Sequence, residues 1–170
     1  MKRLLILILA ALTITSCGKT SASYEDTKNR QYNQYYDSFG INDLKEEFYS
    51  KEENTYGIYM YGIGCKYCDY CKGAVLDYLD SLKLNIDRKL DNLYIFEREK
   101  EPNFREYFKL KPDDFSYNRD KDLYIQKMLG ATSITETYFF GTPSLYIIKN
   151  HKLQDVLVGD NSVGSYLVKH

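Results

Sequence analysis

Tryptophan is absent from this chain, proline occurs three times and histidine twice. With so few histidines, and no local Ser–His or paired-carboxylate pattern, hydrolytic and carboxylate acid–base chemistry find no support. Positive charge is not in excess either: 23 Lys and Arg face 24 Asp and Glu, for a net charge of −1 and a pI near 6.1. Neutralising phosphates requires a basic footprint, so nucleic acid is not expected as a partner. No apolar run approaches the roughly 20 residues needed to cross a bilayer as a permanent helix. Aromatic content comes from 18 Tyr and 8 Phe, and the tyrosine abundance reads as compositional bias, not as a binding surface. What remains, 170 residues with 44% hydrophobic and 28% charged, suits one globular domain with extra length at the front.

At that front, Lys2 and Arg3 precede an unbroken apolar run from Leu4 to Leu12, followed by Thr13-Ile14-Thr15-Ser16-Cys17. A charged start, a short apolar stretch and small residues are the pattern of a secretory signal peptide. Ile14-Thr15-Ser16-Cys17 is similar to the bacterial lipobox. That resemblance implies removal of residues 1–16, a diacylglyceryl group on Cys17, and attachment to the outer face of the cell membrane. Two acyl chains suffice for stable anchoring where one does not. An ordinary signal peptide with an unrelated cysteine is the competing reading. From Cys17 to about Asp37 the chain is polar and lacks apolar periodicity, so it reads as a flexible tether. The domain is expected over 38–170.

Within it, Ile41, Leu44 and Phe48 at helical spacing predict a first amphipathic helix, with Asn42 and Asp43 as caps. Tyr56 to Ile63 is free of charge and rich in β-formers, which suits a buried central strand. Apolar residues at 71, 74, 75, 78, 79 and 82 predict a helix ending near Leu84. Asn92 to Glu97 reads as a second strand. Arg98 to Asp122 is charged, carries Pro102 and Pro112, shows little pattern, and reads as an insertion. Leu123 to Leu129 predicts a helix stopped by Gly130. Ser144 to Lys149 and Gln154 to Val158 predict a hairpin through Asn150-His151-Lys152, and Asn161 to Val168 a last helix. Helices alternate first with strands and then with a hairpin, an α/β layout.

If Cys17 carries lipid, Cys65, Cys68 and Cys71 remain, packed into seven residues. Such spacing staples nothing distant and cannot serve as a disulfide framework. Two cysteines three apart at a helix start close only a small, readily exchanged ring. There the unpaired backbone N–H groups favour an anion, which raises the thiolate fraction of the first cysteine. The second, one turn in, can resolve a mixed disulfide. Taking Cys65 and Cys68 as the pair keeps the helix's inner stripe apolar, whereas pairing Cys68 with Cys71 would put Asp77 into it. Cys71 then faces inward, as a small buried hydrophobe or as a third redox partner.

From Tyr56 to Val168 the chain resembles the thioredoxin superfamily on two motifs: the strand Ile58–Gly64 followed by Cys65-Lys66-Tyr67-Cys68, and Phe140-Gly141-Thr142-Pro143-Ser144 leading into Leu145–Asn150. The resemblance implies a thioredoxin-like fold, a central mixed sheet with flanking helices. It implies Cys65 and Cys68 as redox-active residues and a cis-proline at Pro143 facing them. Only proline makes a cis peptide cheap. Thr142 and Pro143 carry over as substrate-binding residues, with Lys66 and Tyr67 between the cysteines counted beside them. Departures are plain: Gly64 stands where the family has tryptophan, and Tyr59 where cytoplasmic thioredoxin has a buried acid, so proton handling must differ. Protein or peptide thiols and disulfides are the expected substrates, without a cofactor. The chain is also similar to bacteriocin transport accessory proteins, which implies the alternative of an anchored partner-binding protein assisting export or maturation of a secreted peptide. A metal site on Cys65, Cys68 and Cys71, with His151 or Asp69 as fourth ligand, lacks the second ligand pair of structural zinc, and none is expected.

Overall fold

The computed structural model describes residues 30–169. The expected signal peptide 1–16, Cys17, residues 17–29 of the expected tether and His170 lie outside the described residues.

The core is organised by strand β1 (Thr55–Tyr61), in which every residue after Thr55 is buried. A strand covered on both faces has no polar alternation, which is why Tyr56-Gly57-Ile58-Tyr59-Met60-Tyr61 carries no charge. β2 (Asn92–Glu97) lies parallel to one side of it, and β3 (Ser144–Lys149) antiparallel to the other. β4 (Lys152–Val158) pairs antiparallel with β3, giving the order β2-β1-β3-β4. Asn150 and His151 both adopt positive φ, 49° and 60°, so a two-residue turn matched to strand twist closes the β3–β4 hairpin.

Helix α3 (Lys66–Lys83) packs with α5 (Asp160–Lys169) over one face of the sheet, on Tyr59, Tyr61, Leu93, Ile95, Leu145 and Ile147. Gly57 on that face is squeezed between leucines: a Cβ there would stand 2.8–3.0 Å from Leu90, Leu145 and Leu93. The other face, Tyr56, Ile58, Met60, Tyr146 and Ile148, is covered by α2 (Leu44–Glu47) and α4 (Tyr117–Met128). A mixed sheet in this strand order, with a β1–α3–β2 crossover, a β3–β4 hairpin and a closing helix, is a thioredoxin-like fold.

Three boundaries differ from the sequence reading. Residues 30–37 are not tether. Tyr32–Tyr35 form a 3₁₀ turn and Tyr36–Phe39 a short helix α1, and Tyr32, Tyr35 and Phe39 are buried against α3 and the sheet. Each aromatic leaving water contributes about 1.5–3 kcal/mol, which a polar tether would forgo. The expected helix over Ile41–Phe48 shrinks to α2. Its start is delayed because Gly40 bridges to β2, with Ile41 N–H donating to Ile95 O at 3.0 Å. The Glu47 carboxylate takes the amides of Asn42 and Asp43 as a cap. The patternless stretch beginning at Arg98 ends at Ser116, and α4 begins at Tyr117, six residues earlier than expected. Before it, 3₁₀ turns at Arg98–Lys100 and Phe104–Tyr107 bury Phe104 and Phe108 against Phe48, Phe96 and Phe139. The stretch is part of the core and not an appendage.

Candidate functional site

β1 ends at Tyr61, and Gly62-Ile63-Gly64 carries the chain to α3. Gly62 lets the Arg98 side chain lie close against the backbone: a Cβ would sit 2.4 Å from Arg98 Nε and push the guanidinium aside. Arg98 pairs with Glu99 at 2.6 Å, and Glu99 accepts the Ile63 amide at 3.0 Å. Burial works against the Glu99 carboxylate, but Arg98 and the Ile63 amide outweigh it and hold its pKa below the ordinary value. Gly64, at φ 69°, turns the chain into the helix.

Cys65 is the N-cap of α3. Its sulfur accepts the Cys68 amide at 3.2 Å, and the two cysteines are joined as a disulfide with Cα atoms 5.2 Å apart. Cys65 is partly exposed, while Cys68 is 2% exposed. Exposure at the helix end and burial one turn in thus assign the accessible sulfur to Cys65.

Facing Cys65 is the loop before β3. The Thr142–Pro143 bond is cis, and Thr142 O and Oγ1 each lie 3.6 Å from Cys65 Sγ. The loop is tied on both sides. Gly159 N–H donates to Pro143 O at 2.9 Å, and Lys111 Nζ donates to Phe139 O at 2.9 Å. The stretch after Arg98 therefore supports the loop opposite the cysteines.

Lys66 and Tyr67 are exposed on the first turn of α3. Lys66 Nζ lies 5.8 Å from the Tyr70 ring centroid, and Tyr67 meets Tyr70 edge to face at 6.2 Å. Ile63, Tyr67 and Tyr70 are each about three-fifths exposed (67%, 60% and 59%), an apolar rim that sequence reasoning credited only to Tyr67.

Behind the pair lies a buried polar chain. Tyr59 is fully buried, and its hydroxyl lies 3.4 Å from Cys71 Sγ and 3.2 Å from the Tyr32 hydroxyl. Cys71 is a free, buried thiol. Burial pushes it up to about 11, with Asp160 adding to the rise and Tyr59 opposing it. Tyr32 was missed in the sequence because residues 18–37 look polar. The available signal was Tyr32, Tyr35, Tyr36 and Phe39 at i, i+3, i+4 and i+7.

His151 lies in the hairpin turn at the opposite end of the sheet from Cys65, its Nδ1 2.9 Å from Tyr49 O. Among the described residues no group of three or more His, Cys, Asp or Glu is arranged to hold a metal ion. No helix of the described residues is long and apolar enough to cross a membrane.

No protein-family model and no curated protein matches the chain. Among solved structures it is similar to the thioredoxin of Malassezia sympodialis, at 10% identity over 77% of this chain and 88% of that one, with a TM-score of 0.44. It is similar also to the oxidised thioredoxin of Plasmodium falciparum, at 12% identity over 77% and 95%, TM-score 0.44. A third is mitochondrial thioredoxin 3 of Saccharomyces cerevisiae in its oxidised form, at 13% identity over 77% and 92%, TM-score 0.43.

Proposed function

We propose that the protein is a thiol–disulfide oxidoreductase whose reacting pair is Cys65 and Cys68, anchored through lipid on Cys17 to the outer face of the cell membrane. The observation that carries the redox part is the position of Cys65: a partly exposed sulfur at the N-terminus of an eighteen-residue helix, facing Thr142 across 3.6 Å. Helix-end amides favour the thiolate that attacks.

In the reducing direction, the Cys65 thiolate attacks one sulfur of a substrate disulfide. The substrate S–S bond breaks, a Cys65–substrate disulfide forms, and one substrate thiolate leaves. Cys68, having lost its proton, then attacks Cys65 Sγ, so the Cys65–Cys68 disulfide forms and the second substrate thiolate leaves. Two electrons pass to the substrate, which takes up two protons. Oxidation of a substrate dithiol is the same sequence reversed. Thr142 and Pro143 would line the substrate segment beside Cys65, and Lys66 and Tyr67 would border it.

Insulin reduction is the direct test. Cys65→Ser should abolish it, and Cys68→Ser should trap partner proteins as mixed disulfides. Unchanged activity in Cys65→Ser would end the redox reading. The direction follows from equilibration with glutathione: a potential near −270 mV makes the protein a reductase and one near −120 mV an oxidase. The anchor is tested separately, since Cys17→Ala should release the protein from the membrane fraction and abolish labelling by a fatty-acid probe. The apolar rim of Ile63, Tyr67 and Tyr70 favours a second reading, a partner-binding protein assisting a secreted peptide. It predicts that Cys65→Ser retains the phenotype while substitution of Tyr67 and Tyr70 loses it.

A further inference from the structure

Before Cys68 can attack Cys65 it must release a proton, yet the residue is 2% exposed. The groups packed behind it are poor acceptors. Burial strongly opposes ionisation of Tyr59 and of Tyr32, and their hydroxyls already bond to each other. Cys71 is pushed up to about 11, and Asp160, from α5, acts on Cys71.

The other side of Cys68 is different. A cavity of about 300 Å³ opens there, whose lining includes Tyr61, Gly64, Cys68, Asp69, Lys72 and Glu97. Polar and apolar groups line it about equally, and it has room for several waters. Glu97 closes β2, and its partner across the parallel ladder is Tyr61, whose hydroxyl donates to the Glu97 carboxylate at 3.0 Å. Burial first, then Tyr36 and Glu97, hold the Tyr61 phenol protonated and hence a donor. Its ring is fixed against Tyr32 at 4.1 Å and Tyr59 at 5.9 Å. Glu97 is therefore a carboxylate held in place at the wall of a cavity that also reaches the resolving cysteine.

We propose that Glu97 accepts the Cys68 proton through cavity water during resolution and returns it when the reaction runs backwards. The proposal rests on the reading of Cys65–Cys68 as an exchange pair. One proton passes from Cys68 Sγ to the carboxylate as the Cys68 thiolate displaces the substrate thiolate from Cys65. That departing thiolate, or solvent, later receives the proton. Other charged groups face the same space. Asp69, on α3, is exposed and neighbours Lys72, whose ammonium donates to Gln31 at 3.1 Å and lies 5.9 Å from the Tyr32 ring. Burial disfavours the Lys72 charge. Arg98 is committed to Glu99, and Lys100 lies over the Tyr36 ring, whose hydroxyl receives the Glu97 amide at 2.7 Å.

The test uses the full, reduced protein with oxidised glutathione, quenched in acid and read by mass spectrometry. Formation and decay of the Cys65–glutathione disulfide give the two steps separately. In Glu97→Gln, which keeps an acceptor for Tyr61, formation should stay within about twofold. Decay at pH 7 should slow about tenfold or more, rise with hydroxide, and meet the wild-type rate near pH 9, as loss of a proton acceptor requires. Asp69→Asn should change neither step. Wild-type decay in Glu97→Gln, equal slowing of both steps with no change in pH shape, or slowing in Asp69→Asn instead, would each overturn the proposal. Should Glu97→Gln fold poorly, Tyr61→Phe serves: loosening the carboxylate should slow decay about threefold without slowing formation, and an unchanged decay would overturn it equally. Failure of the redox reading looks different, because the wild-type protein would then form no mixed disulfide at all.

Discussion

Cys65 and Thr142 meet twice: the threonine's hydroxyl and its carbonyl oxygen each stand 3.6 Å from Cys65 Sγ. Only the hydroxyl can donate to the sulfur, and only in the reduced protein can the sulfur donate to the carbonyl. The contact therefore depends on redox state, with the hydroxyl favouring the thiolate.

Removing that donor while keeping the shape should weaken the nucleophile. In Thr142→Val the pH profile of Cys65 alkylation by iodoacetamide should move up by about half to one unit, since a bond to a charged group is worth on the order of 1 kcal/mol. An unmoved profile would show that the hydroxyl does not sense the thiolate.

Cys71 should behave as a buried thiol. With its pKa pushed up to about 11, its thiolate fraction at pH 7 is on the order of 10⁻⁴. In the reduced native protein, alkylation of Cys71 should be at least about a hundredfold slower than that of Cys65, becoming comparable only in denaturant. Peptide mapping after timed quenching reads this directly.

The segment around Tyr32 should contribute to domain stability. Tyr32→Ala empties a site against Tyr59 and Tyr61 and should cost about 3 kcal/mol. Tyr32→Phe, which loses only the 3.2 Å bond to Tyr59, should cost about 1 kcal/mol. Urea midpoints separate the two, and a midpoint unmoved in Tyr32→Ala would mean the segment is not docked in solution.

Acid should loosen the turn before Cys65. The Glu99 pKa is lowered from its ordinary 4.5, so its folded-state partners stabilise the charged form. That contribution is complete above pH 4.5 and is lost as pH falls through the lowered value. Glu99→Gln should remove this acid-dependent part, while Glu99→Ala, which takes the acceptor away, should speed exchange of the Ile63 amide roughly fivefold at neutral pH, as loss of a bond worth about 1 kcal/mol implies. Amide exchange by NMR checks it.

How far the sequence could be read depended on whether a feature was local. β1 was legible because a charge-free run of six residues has few other uses. The α3 register was legible because Asp77 had to face solvent and Cys71 did not. Cys65 at the helix start and Pro143 opposite it followed from two short motifs. The docked segment at 30–39 was hidden because its aromatics are tyrosines set among Asn, Gln and Asp, so polarity masked the helical period. Phe104 and Phe108 were hidden because 3₁₀ turns bury residues without a repeating stripe. The Tyr61–Glu97 contact could not be read at all, since it exists only once β1 and β2 pair in a particular register.

Arg30, at the start of the described chain, bonds to Asp77 and Asp80, each at 2.6 Å, with Tyr35 also donating to Asp80. Both aspartates belong to the far half of α3, on the order of 18 Å along the helix from Cys65 at 1.5 Å per residue. The leading end of the described chain is thus pinned to the rear of the helix that carries the cysteines. Two residues further on, Tyr32 packs on Tyr59 and Tyr61 and lines the cavity that reaches Cys68, so one short segment clamps both the rear of that helix and the flank of the cysteine site.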